Sequence, residues 1–192
     1  MNKTLATVAL ALALTTSAMI NAADYVIDTK DAHASIQFKI KHLGYSWLTG
    51  RFNKFEGQFS YDEKAPNDAK IAVTIATKSL DSNHADRDKH LKSKDFLEVS
   101  KFKEAKFVST KIQFSDDDNA QVEGDFTLHG VTKKISFPVV KIGEGNDPWG
   151  GYRVGFSGNV SLKLADYGID YNLGPASTHV DLSLHIEGIK QK

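Results

Sequence analysis

Between Asn83 and Phe96 the sequence reads Asn-His-Ala-Asp-Arg-Asp-Lys-His-Leu-Lys-Ser-Lys-Asp-Phe, a dense run of side chains able to bind metals, pair charges or move protons. If it is helical, His84, Arg87, Asp88 and Leu91 fall at i, i+3, i+4 and i+7 and share one face. A metal site would use His84 and Asp88, one turn apart, with His90 or His129 completing the shell. The run has no second histidine at i+4 and matches no zinc pattern of known mechanism. A structural reading accounts for the same residues: Asn83 caps a helix, Asp86 and Asp88 favour its N-terminal end, and Arg87 pairs with a carboxylate. No metal ligands are therefore assigned.

Hydrolytic chemistry has less support. The chain has no Gly-x-Ser-x-Gly elbow, no thiol and no carboxylate pair that stands out from a charged background. Phosphate cradles and dinucleotide fingerprints are also absent. No catalytic residue is assigned, and an enzyme is not expected.

The elements that must position the polar run are strands. Apolar residues alternate with polar ones at Ile36-Phe38-Ile40, Ile71-Val73-Ile75, Val122 to Leu128, Ile135-Phe137-Val139, Val154 to Leu164 and Val180 to Ile186. Strands from Ala105 to Phe114 and from Phe52 to Tyr61 are less regular, the second with a predicted bulge at Asn53 and Lys54 because Phe52 is out of phase with Phe55, Phe59 and Tyr61. Pro138 removes a ladder donor and predicts a bulge or a free edge. About eight strands and one helical insertion around 83–97, with no helices alternating with strands, predict an all-β antiparallel barrel or sandwich.

The chain ends and composition narrow the setting. Met1 to Ala22 reads as a secretory signal peptide, with Lys3 before an apolar stretch from Leu5 to Leu14 and a cut after Ala22, leaving 23–192 as one domain. No segment has the ~18 apolar residues of a spanning helix, so an integral membrane protein is not expected. The absence of cysteine excludes disulfides and a lipidated N-terminus. The 24 basic and 24 acidic residues balance, which gives no general attraction for nucleic acid. These features predict an exported protein that no helix anchors in the membrane. A membrane-spanning barrel is disfavoured because aromatic girdles are not apparent.

If the strands run up and down in order, the connections His42–Gly50, Lys78–Glu104, His129–Thr132 and Ala165–Ser177 share one end. That mouth gathers His42, Trp47, His84, Arg87, Asp88 and His90, together with His129, Tyr167 and Tyr171. Inward positions carry Phe38, Ile40, Phe59, Ile71, Val73, Ile75, Phe107, Phe126, Phe137, Phe156, Leu162 and Leu182. Gly57, Gly124 and Gly158 lie among them and are expected to leave space. A packed core is the plainer reading of this face; the sharper one is a lumen for one elongated apolar ligand.

The stretches His42-Leu43-Gly44-Tyr45-Ser46-Trp47-Leu48, Asn83-His84-x-x-Arg87-Asp88-Lys89-His90-Leu91, Gly124-Asp125-Phe126-Thr127-Leu128, Asp147-Pro148-Trp149-Gly150-Gly151 and Leu173-Gly174-Pro175-Ala176-Ser177 carry a resemblance. In this order and at these spacings the chain closely resembles the YceI-like family of secreted bacterial proteins. The resemblance implies a lipocalin-like eight-stranded antiparallel β-barrel in the periplasm that holds a polyisoprenoid or similar lipid for storage or transport. It implies no catalytic residue and no cofactor beyond such a bound lipid. The alternative is a small hydrolase or metal-binding protein using the histidine-bearing mouth. Oligomeric state is left open.

Overall fold

The computed structural model describes residues 23–192, so the expected signal peptide lies outside the described residues. The strands are β1 (Ala23–Ile27), β2 (Ser35–His42), β3 (Ser46–Phe52), β4 (Phe55–Tyr61), β5 (Lys70–Ala76), β6 (Leu80–Asp81), β7 (Glu104–Phe114), β8 (Asn119–Leu128), β9 (Val131–Asn146), β10 (Tyr152–Lys163) and β11 (His179–Lys190). Among the described residues there is one α-helix, α1 (Ala85–Leu91), between β6 and β7.

All the pairings are antiparallel, and the sheet closes because β11 pairs with the start of the chain at both β1 and β2, for example at Ile27↔Gly188 and Phe38↔Leu182. Strands β1 and β2 are two halves of one stave of the barrel. Strands β3 and β4, and β5 and β6, are likewise halves, so the ring has eight staves in sequence order. The predicted up-and-down order and the placing of four connections at one end both hold.

Three boundaries differ from expectation. The predicted bulge at Asn53 and Lys54 is a complete break: Phe52 ends β3, paired with Ile36, and Phe55 opens β4, paired with Ile75. The expected loop His42–Gly50 shrinks to Leu43–Tyr45, because Ser46–Gly50 already pair with β2. Strand β1 was not anticipated; it is short and separated from β2 by an excursion over 28–34.

Alternation works as the sequence implies. In β8, Ala120, Val122, Phe126 and Leu128 are buried while Gln121 and Asp125 face solvent. Lys39, Lys41, Lys106, Lys111, Lys133 and Lys134 are also exposed on the outer wall, which opposes an outward lipid-facing band. No described helix is long and apolar enough to cross a membrane. Pro138 sits beside the last β9–β10 pair, Val139↔Gly158, so it lies at the predicted free edge.

Of the inward glycines, Gly57 and Gly124 correct one expectation, since neighbours fill their space, whereas Gly158 borders the lumen as expected. A Cβ on Gly124 would stand 2.5 Å from the ring of Phe107, on Gly57 2.8 Å from Ile27 Cδ1, and on Gly158 3.1 Å from Val139 Cγ2. Glycine here is what lets neighbouring side chains lie against the backbone.

Candidate functional site

The barrel interior contains two apolar cavities in line. One, of about 120 Å³, is bordered by Phe59, Ile71, Val73, Phe107, Phe137 and Phe156. The other, of about 270 Å³, lies toward the helix-bearing end and is bordered by Phe38, Ile40 and Leu162. Ile75, Phe126 and Leu182 border both and mark the neck at which the two spaces adjoin. All twelve residues predicted to face inward thus lie on this lumen. The two spaces together reach the lower part of the ~300–1,000 Å³ range of small-molecule sites.

Aromatic packing bounds the far end. Tyr25 stacks on Phe59 at 5.0 Å, and Phe156 meets Phe59 and Tyr61 edge-on at 5.7 and 5.5 Å. Burial pushes the Tyr25 hydroxyl up to about 12, so it stays protonated. Beside this packing, Lys141 donates to Glu144 at 3.1 Å and Tyr152 donates to the same carboxylate at 2.9 Å. Burial alone would lower the Lys141 pKa; its hydrogen bonds with Glu144 and Tyr61 overcome that and raise it.

The mouth is built by α1 and the two loops flanking it. The N-cap of α1 is His84, whose Nδ1 accepts from the Arg87 amide at 3.3 Å; Asn83, expected there, has a left-handed φ of 60° one position earlier. Arg87 does not pair with a carboxylate as expected. Its Nε donates to Ser82 Oγ at 2.8 Å and its Nη2 to the Ser82 carbonyl. Asp88 accepts from the Ser82 amide at 2.8 Å. The helix is shorter than predicted because the chain leaves it at Lys92 for turns, with Phe96 donating back to Ser93 and Glu98 at a φ of 42°.

The face-sharing prediction is met in part. Arg87, His90 and Leu91 border the lumen, as does His42, whereas Asp88 borders a separate polar cleft with Lys54, Lys78 and Lys92. His84 is exposed, and Trp47 lies on the outer wall. His90 sits edge-on between Phe96 and Tyr171 at 5.0 and 5.1 Å and reaches Asp95 at 3.1 Å. His129 pairs through Nδ1 with the Tyr167 carbonyl at 3.1 Å. The residues considered for a metal shell are thus held by separate partners.

One other acidic cluster gathers Asp28, His33 and Glu187. Arg153 occupies its centre, donating from Nη1 to Asp28 and Glu187 at 2.5 Å each and from Nε to Asp147 at 2.8 Å. The cluster is therefore an ion-pair network that ties the excursion after β1 to β10, β11 and the 147–151 turn.

Sequence reasoning missed Leu48, Leu80, Leu97, Ile169, Leu173 and Val180, which also border the mouth-side cavity. Ile169 and Leu173 offered a signal: they are apolar residues in a long polar connection.

Comparison with known proteins agrees with this architecture. A family model described as the YceI-like domain matches residues 25–188. A UPF0312 protein of Pseudomonas aeruginosa is 55% identical over 191 residues, covering 100% of both chains. The crystal structure of a YCEI protein from Campylobacter jejuni superposes with a TM-score of 0.72 at 26% identity, covering 80% of this chain and 91% of that one. A polyisoprenoid binding domain from Saccharophagus degradans, implicated in plant cell wall breakdown, shares the fold with a TM-score of 0.66 at 15% identity, over 88% and 99% of the two chains.

Proposed function

This chain belongs to the YceI-like family, and from that premise we propose that it is a periplasmic binding protein that holds one long apolar lipid, a polyisoprenoid or similar chain, for storage or transport. The observation that carries the reading is the lumen: two apolar spaces that adjoin at Ile75, Phe126 and Leu182. An elongated hydrocarbon suits such a shape better than a compact ligand. Its binding would come from burial, at about 0.8 kcal/mol for each CH₂ removed from water. The polyisoprenoid binding domain of the same fold supports this ligand class. The signal-like Met1–Ala22 supports export.

We read the protein as a binder rather than a catalyst. Arg87, Asp88 and His90 of α1, with His84 at its N-cap, are committed to backbone, serine or carboxylate partners, which suits a closure over the mouth. Titrating delipidated protein with prenols of increasing length tests the proposal. Affinity should rise with length and level off once the lumen is full. Equal affinity for short and long chains, or none for any, would refute it.

A further inference from the structure

The hairpin between β2 and β3 turns through His42-Leu43-Gly44-Tyr45, closed by the Tyr45 amide donating to the His42 carbonyl at 2.9 Å. Leu43 and Gly44 both have left-handed φ, 52° and 85°. A turn of this kind favours Asn-Gly or Asp-Gly, and a leucine there is strained. Contact with the mouth-side cavity explains only part of the leucine. Leu43 is 52% exposed, Tyr45 87% and Trp47 52%. The apolar tip is held firmly, since Ser177 Oγ donates to the Lys41 carbonyl at 2.5 Å and Ala176 lies against Gly44.

The tip also belongs to the lumen entrance, because His42 and Leu43 border the mouth-side cavity. Exposed Tyr171 stands on the connection before β11, at the same end. Two cations flank Trp47: the ammonium of Lys39 lies 4.8 Å from its ring centre and that of Lys41 lies 5.7 Å away. Lys41 has no ion pair among the described residues, and Lys39 reaches Asp181 only at 4.0 Å. Exposed leucine, tyrosine and tryptophan beside lysine match the layered chemistry of a membrane surface, with apolar groups entering the acyl boundary and ammonium groups meeting phosphates.

We propose that this rim docks on an anionic lipid bilayer and presents the lumen mouth to it, so that an apolar chain passes between membrane and barrel without crossing water. The inference rests on the lipid-binding reading above. Strain at Leu43 is then the structural cost of placing an apolar side chain at the point of contact.

The two tryptophans provide the test, because Trp47 marks this rim and Trp149, 75% exposed in the 147–151 turn, marks the opposite end. With vesicles of phosphatidylethanolamine and phosphatidylglycerol, the Trp149→Phe protein should show a blue shift and quenching by brominated acyl chains. The Trp47→Phe protein should show neither. Tyr45→Ser with Lys39→Glu should weaken vesicle binding by about fivefold or more for the charge lost, yet retain lipid when loaded from detergent. Leu43→Asn should raise thermal stability while weakening docking, which separates docking from folding.

Equal shifts at both tryptophans, no shift at Trp47, or undiminished binding by these variants would overturn the inference. If the protein loads lipid but does not dock, only this inference fails. If it docks but never loads, the lipid-binding reading fails.

Discussion

The ring of Phe107 lies against the backbone of Gly124, so close that a methyl group at residue 124 would stand 2.5 Å from two ring carbons. The ring borders the lumen, so its position sets how much of the lumen is open. Gly124→Ala should push Phe107 inward, lower stability by about 1–3 kcal/mol as overpacking does, and reduce the length of chain accepted. Denaturant midpoints and a prenol length series would measure both effects. Unchanged length preference would mean that Phe107 does not limit the lumen.

Leu182 stands at the neck with Ile75 and Phe126. Leu182→Trp should fill the neck and divide the lumen. Binding of long chains should fall toward that of chains that fill only the mouth-side cavity, while short chains bind as before. Competition between a short and a long fluorescent lipid reads this directly; equal losses for both would argue against a continuous path.

These contacts show what the sequence made legible. Alternation predicted the lumen-facing phenylalanines because each strand has one buried face. It did not predict β3 fully, because inward Gly50 contributes no side chain to the pattern and is covered by the ring of Phe38 from the neighbouring strand. Strand β1 was missed for a related reason. Its continuation into β2 is interrupted, and the excursion is anchored by Asp28 to Arg153, 125 positions away. His42, His84, His90 and His129 were gathered at one end, but the roles of two were not legible: His90 is fixed by Asp95 and His129 by the Tyr167 carbonyl, partners that spacing along the chain does not reveal.

The Asp28 network should make stability depend on acid. Burial alone would raise the Asp28 pKa, but hydrogen bonds from Arg153 and His33 reverse this and hold it at about 2. An unfolded aspartate titrates near ~3.9. The contribution is therefore complete above that value and is lost as the pH falls toward 2. Asp28→Asn should cost about 1.5–3 kcal/mol at neutral pH and flatten the loss of stability between pH 4 and pH 2, as followed by urea unfolding. An identical acid dependence in the variant would contradict this assignment.

His129 ties the mouth to the barrel. Nδ1 bonds the Tyr167 carbonyl, Phe102 packs on the ring at 4.3 Å, and Nε2 is buried without a hydrogen-bond partner, 3.8 Å from Glu98. His129→Gly keeps the left-handed turn but removes these contacts. Amide exchange should quicken around 98–102 and 164–168 and remain unchanged in β4 and β5. Uniform quickening would indicate a global loss instead.

The central claim is that the lumen holds one long apolar chain, and mass spectrometry of protein exported by a native-like host tests it most directly. The intact protein should carry the added mass of a single lipid per chain, and solvent extraction should recover a polyisoprenoid or comparable long-chain lipid in equal molar amount. Leu182→Trp protein from the same host should carry shorter chains or none. Native protein that arrives without stoichiometric lipid would contradict the account.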